Sequence, residues 1–111
     1  KHALIGFTRS VARDYGRHGV RVNAVCPGWV RTAMADEQMD VLVRQGKAGS
    51  VDEAYRLVTA NVPLGRPATA QDVADAVLFL ASDKASMVTG TSLMVDGGAS
   101  AVDLPTIAFA S

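Results

Sequence analysis

The stretch from Val20 to Thr32, VRVNAVCPGWVRT, decides how the chain is read. Val20, Val22, Ala24, Val25 and Cys26 make a short apolar run with Gly19 before it and Pro27-Gly28 after it. A run of this length between turn residues predicts a buried strand over 20–26 rather than a helix. A strand that is apolar along its length belongs to a parallel sheet covered on both faces. Pro27 has no backbone donor and is expected to end the ladder, and Gly28 permits a sharp turn or a close backbone approach. Ligands of open α/β sheets bind outside the carboxyl ends of the strands. The turn after this strand is therefore the first candidate site. Local chemistry alone favours an ordinary strand-ending turn.

Upstream, Ala3, Leu4, Phe7, Val11, Ala12 and Tyr15 recur at helical spacing and predict a helix to about residue 15, stopped by Gly16 and Gly19. Lys1 already sits in that pattern, so the chain is expected to begin inside a longer domain. Downstream, residues 33–39 and 41–43 are helical in pattern, and 45–49 is a polar break. Ser50 and Glu53 have capping-box spacing and predict a helix over 51–60 with Ala54, Leu57 and Val58 on one face. Met34, Met39, Leu42 and Val43 give the insertion at 33–62 flexible apolar side chains. These suit either a lid over an apolar substrate or a cover for the sheet edge. Asp36, Glu37, Asp40, Asp52 and Glu53 read as caps and solvated helix faces.

Pro63 and Pro67 bracket a linker, and Thr69 with Asp72 signals another helix start. Its stripe of Val73, Ala74, Val77, Leu78, Leu80 and Ala81 is wide enough to dock on a sheet or a second subunit. A second strand is predicted over 91–95, closed by Asp96-Gly97-Gly98 and parallel to the first through the intervening helices. The tail, 99–111, is apolar and without period.

The 111 residues allow one domain at most. Eleven basic and eleven acidic residues cancel, so no electrostatic argument favours nucleic acid or a membrane surface. Cys26, the one cysteine, permits no internal disulfide and reads as a small core residue in a reducing, cytoplasmic protein. His2 and His18 have no neighbours at metal-ligand spacing, so no metal is expected. No run reaches the length of a membrane span, and no signal peptide is visible. Two parallel strands cannot bury both faces and both edges, so completion of the fold by residues outside these 111 is expected.

The ordered segments KHALIGFTRSVARDYG, VRVNAVCPGWVRT, PLGRPATAQDVADAVLFLASDKASMVTG and TSLMVDGG resemble the C-terminal half of a short-chain dehydrogenase/reductase over residues 1–98. Among members they are most similar to the bacterial 3-oxoacyl-(acyl carrier protein) reductase-like branch. The resemblance implies an α/β fold: the C-terminal part of a Rossmann-like, doubly wound parallel sheet, incomplete in this chain, in the order helix, strand, lid helices, helix, strand. It implies NAD or NADP as cofactor and hydride transfer between nicotinamide and a carbonyl or secondary alcohol, with a 3-oxoacyl thioester as one substrate. Hydroxyacyl-CoA and sugar-alcohol dehydrogenases are the alternatives within the class. A non-catalytic association module is the alternative outside it.

By position, Lys1 matches the lysine of the family's YxxxK motif, one helical turn after the tyrosine that serves as general acid/base. Its ammonium is expected to lower the tyrosine pKa and to hydrogen-bond the nicotinamide ribose. Pro27, Gly28 and Val30 match the loop beside the nicotinamide, whose backbone holds the carboxamide, and Thr32 matches a hydroxyl that reaches the carboxamide or pyrophosphate. Thr32 could also cap the following helix. Trp29, Met34 and Met39 fall in the substrate lid. Asn23 and Asp96 match positions expected to make structural hydrogen bonds. The family's glycine-rich turn, catalytic serine and catalytic tyrosine have no counterpart here, so this chain alone is expected to be inactive without an N-terminal half. Dimers or tetramers are expected through residues 1–15, 70–82 and 91–95, and the tail is expected to pack on a neighbouring subunit.

Overall fold

Strand pairing in the computed structural model, which describes residues 2–109, is parallel as the sequence predicts. β1 (Ala24–Pro27) and β2 (Ser92–Val95) form a two-stranded sheet in the register Ala24↔Ser92, Val25↔Leu93, Cys26↔Met94 and Pro27↔Val95. β1 is shorter than the apolar run. Asn23 intervenes: its Nδ2 donates to the Val88 carbonyl at 2.9 Å and its Oδ1 accepts from the Thr91 amide at 3.2 Å. A side chain thus takes the place of a ladder rung, and Val20 stays exposed. Pro27 does not end the pairing. It lies opposite Val95, and the Gly28 amide donates to the Val95 carbonyl at 3.2 Å, because the missing proline donor faces away from β2.

α1 (His2–Tyr15) packs on β1. Its covered side is Thr8 and Ala12, with Ile5 and Val11 half-buried, whereas Leu4, Phe7 and Tyr15 are exposed. The predicted stripe mixed these two faces. Thr8 is tolerated inside because its hydroxyl donates to the Leu4 carbonyl at 2.8 Å. Lys1 lies outside the described residues, as do Ala110 and Ser111 of the tail.

α4 (Ala70–Ala81) opens on a reciprocal capping box: Thr69 Oγ1 accepts from the Asp72 amide at 3.0 Å, and Asp72 Oδ2 accepts from the Thr69 amide at 2.8 Å. Its other end is held by Arg21, whose guanidinium donates to the carbonyls of Leu80 (2.7 Å), Val88 (3.2 Å) and Ser82 (3.2 Å). A cation on the last carbonyls of a helix satisfies orphan acceptors and complements the dipole. Of the predicted stripe only Leu80 is buried, and Leu78 is 70% exposed.

The tightest packing lies away from the sheet. α2 (Ala33–Arg44) and α3 (Val51–Val58) enclose Ala35, Met39, Ala48, Ala54 and Tyr55, with Leu42, Val43, Val51 and Val58 around them. The buried side of α3 is thus Val51, Ala54, Tyr55 and Val58, at i, i+3, i+4 and i+7, and Leu57 is exposed. Ser50 caps α3 by accepting from the Glu53 amide, while Glu53 Oε2 accepts from the Gly49 amide rather than from Ser50 itself. The tail forms short 3-10 turns at Ala99–Ala101 and Leu104–Phe109, and Leu104 and Phe109 are exposed.

The radius of gyration is 17.2 Å, against about 13 Å for a closed domain of this length. The chain is correspondingly elongated, with extents of 54 × 33 × 26 Å. Met39 is 1% exposed and Met34 73%, which separates two residues that the sequence groups together. Met39→Ala is expected to lower unfolding free energy by about 2–5 kcal/mol and Met34→Ala by less than about 0.5 kcal/mol, read by denaturant unfolding.

Candidate functional site

The carboxyl ends of both strands meet at Gly28 and Asp96. A Cβ on Gly28 would lie 3.1 Å from the Asp96 Cβ and 3.2 Å from its Cα, so only a glycine lets the two strand ends close without displacement. Asp96 in turn folds its own loop. It accepts from the amides of Gly98 (3.0 Å) and Ser100 (2.9 Å) and from the Ser100 hydroxyl (2.5 Å). The Ser100 hydroxyl first, and then these amides, hold the Asp96 carboxyl below the usual carboxylate range. Asn23 and Asp96 therefore make structural hydrogen bonds.

Beyond Gly28 the backbone bends at Trp29 and continues as an irregular ribbon to Thr32. Val30 bridges Ala68 in parallel: the Ala68 amide donates to the Trp29 carbonyl and the Arg31 amide to the Ala68 carbonyl, both at 2.8 Å. In such a bridge the flanking residues supply the hydrogen bonds, and the central residue's own groups point the other way. Among the described residues, the Val30 amide and carbonyl have no hydrogen-bond partner. Thr32 then caps α2, its Oγ1 accepting from the Ala35 amide at 3.1 Å. Pro27, Gly28, Trp29, Val30 and Thr32 thus lie on one ribbon at the sheet's carboxyl edge. Met34 is on the exposed first turn of α2, whereas Met39 is buried between α2 and α3 and presents nothing to a substrate.

A cleft of about 590 Å³ lies alongside, lined by residues of 63–68, Asp72 and 94–98. The Gly97-Gly98 turn packs on the end of the 33–62 insertion: the Leu64 amide donates to the Gly97 carbonyl at 3.0 Å, and a Cβ on Gly98 would stand 2.9 Å from Pro63 Cγ. Arg66 reaches across to Asp72 at 2.9 Å. The Thr69 amide, then Arg66, bring the Asp72 carboxyl down to about 2.

Charged side chains that the sequence assigned to solvated faces also reach the ribbon. Arg31 pairs with Asp52 of α3, and its guanidinium sits 4.8 Å above the Tyr55 ring. The Tyr55 hydroxyl donates to Asp36 of α2 at 2.6 Å. Burial, then Asp36, pushes the tyrosine up to about 12. The i, i+3, i+4, i+7 pattern of α3 was the available signal for Tyr55; nothing local pairs Arg31 with a residue 21 positions on. Among the described residues, no three His, Cys, Asp or Glu side chains cluster as metal ligands, and no helix is long and apolar enough to cross a membrane.

A family model described as enoyl-(acyl carrier protein) reductase matches residues 1–100. Protein MoaE of Klebsiella aerogenes is 57% identical over 110 residues, which cover 99% of this chain and 42% of that protein. A short chain dehydrogenase family protein from Francisella tularensis superposes with a TM-score of 0.84 at 37% identity, over 92% of this chain and 42% of that one. Actinorhodin polyketide ketoreductase, solved with NADPH, gives 0.75 at 39% identity, over 87% of this chain and 37% of that one. The chain belongs to the short-chain dehydrogenase/reductase family, and its helices and parallel strands are part of that family's Rossmann-like α/β fold. It spans about two fifths of the length of the relatives it matches.

Asp72 supplies a pH test. A carboxylate whose folded pKa is depressed stabilises fully above its unfolded value, 3.8, and loses that contribution as pH falls towards about 2. Asp72→Asn is expected to lower the melting temperature by a few degrees at neutral pH, and the gap to wild type should close between about pH 4 and pH 2 in a thermal-melt series.

Proposed function

We propose that the chain forms the nicotinamide-contacting edge and substrate lid of an NAD(P)-dependent oxidoreductase acting on a carbonyl or secondary alcohol. The observation that carries this reading is the unpartnered amide and carbonyl of Val30, fixed in direction by the flanking bonds to Ala68. A primary carboxamide offers a carbonyl acceptor and an N–H donor, the complement of that pair. Bound there, a nicotinamide would accept or supply the hydride. Pro27 and Gly28 carry the ribbon off the sheet, and the close fit of Gly28 against Asp96 keeps the Val30 groups at a set distance from β2. The Thr32 hydroxyl accepts from Ala35 and retains its proton, free to donate to a carboxamide or pyrophosphate oxygen.

Lys1, one residue before α1, is assigned the catalytic role of the family's lysine. It holds the ribose and lowers the pKa of a tyrosine one helical turn upstream, in the N-terminal half that this reading requires. Residues 33–62 form the substrate lid and 99–111 the C-terminal tail, within one Rossmann-like domain. Exposed Met34 and Trp29 support an apolar substrate such as a 3-oxoacyl thioester, in keeping with a family model whose description names acyl carrier protein. A lone, buried Cys26 suits a cytoplasmic setting. Phe7, 65% exposed on α1, and the exposed Val77, Leu78 and Phe79 of α4 support a homodimer or tetramer.

The test is thermal unfolding of the polypeptide that carries this chain, with NAD or NADP in either oxidation state. A ligand at a hundredfold its Kd adds about 2.7 kcal/mol, so a rise of several degrees is expected with one of the two cofactors, and no rise with either overturns the reading. Lys1→Met is expected to cut kcat about a hundredfold or more. Phe7→Asp should shift the oligomer to smaller mass in sedimentation; unchanged mass would remove α1 from the interface.

A further inference from the structure

Arg31 occupies a distinctive place between two functional neighbours. Before it stands Val30, with its outward-facing amide and carbonyl, and after it Thr32, the cap of α2. Its own amide is fixed to the Ala68 carbonyl, so its backbone moves with the ribbon. Its side chain belongs to the helical insertion instead. The guanidinium pairs with Asp52 in the first turn of α3 and lies over the face of Tyr55. Tyr55 is 2% exposed and joins α3 to α2 through its hydroxyl bond to Asp36. One side chain thereby bears on both lid helices through a planar cation that can pair and stack at once.

We propose that Arg31 is a positioning residue that couples the lid to the nicotinamide-holding ribbon. When α2 and α3 move as the unit that their shared core makes them, Asp52 and Tyr55 pull on Arg31, and the load passes to the Arg31–Ala68 bond, one of the two that hold the Val30 amide and carbonyl in place. In reverse, a ligand that fixes Val30 restrains α3, which it need not touch. Such coupling is reciprocal: filling the lid tightens cofactor binding by the factor with which cofactor steadies the lid. The inference rests on the proposed function, since it takes Val30 as the cofactor contact.

The experiment is hydrogen exchange by mass spectrometry on the polypeptide that carries this chain, with and without whichever of NADH and NADPH raises its melting temperature. Wild type is expected to gain protection both at 27–32 and, severalfold, within α3. Arg31→Gln and Asp52→Asn are expected to keep the gain at 27–32 and lose most of it in α3. The exchanged pair Arg31→Asp with Asp52→Arg should restore part of it. A merely structural role would lower all melting temperatures while leaving the transmitted protection intact, and that result overturns the coupling. So does a wild type protected at 27–32 with no gain in α3. Failure of the wild type to bind either cofactor removes the functional reading itself, and the coupling with it.

Discussion

Everything at the carboxyl edge depends on the absence of one methyl group. Gly28 brings the end of β1 within van der Waals distance of Asp96 at the end of β2, and a side chain there would require the strand ends to give by a few tenths of an ångström just where the ribbon departs. The consequences run outward on both sides. Along β1, the chain bends at Trp29 and brings Val30 into a bridge with Ala68. Along β2, Asp96 is free to turn its carboxylate on its own loop, which places Gly97 under Leu64 and Gly98 against Pro63. Two strands, the end of the 33–62 insertion and the start of α4 are thus gathered at one point by backbone approach rather than by a hydrophobic cluster.

Side chains that bind carbonyls hold the opposite edge. Arg21 holds the Leu80 and Ser82 carbonyls at the end of α4, while Asn23 donates to the Val88 carbonyl and accepts from the Thr91 amide, filling positions that a longer strand would have filled with its own backbone. Backbone acceptors left without partners in a half-covered region cost more than the modest net worth of each bond. Asn23 at the entry to β1 therefore does what an additional ladder rung would otherwise do, and the apolar run 20–26 yields a strand of four residues.

How much of this was legible follows from the range of the interactions. Periodicity and capping residues act over a few positions, so α1, α3, α4 and β2 could be read within about two residues, including the caps at Ser50 and Thr69, whereas the start of β1 lies four residues later than the apolar run. Faces were harder. The Leu4, Phe7 and Tyr15 row and the Leu78 row are as apolar as any buried row, and nothing in a local pattern says which one the sheet takes. The ribbon's position at the strand ends was legible because Pro-Gly after an apolar run has few structural uses; its link to α3 was not. Arg31 finds Asp52 and Tyr55 only once the chain has folded back, and acidic residues in a first helical turn look like caps whatever they pair with. Met34 and Met39 show the same limit inside one helix, since equal chemistry at two positions ended on opposite sides of it.

The core between α2 and α3 is drawn from residues 35–55, a continuous segment that makes its own interior. A unit closed in this way can diversify by its own rules. Its outer side chains can be exchanged, and its length varied, with little change to the sheet, because few of its buried neighbours belong to anything else. The 28–32 ribbon and the 63–66 return are the two seams at which such a cassette would be cut and rejoined, and Arg31 is the side chain that any newcomer would have to accommodate. Variety in the insertion and constancy in how the sheet edge is laid out are thereby assigned to separate stretches of one short chain.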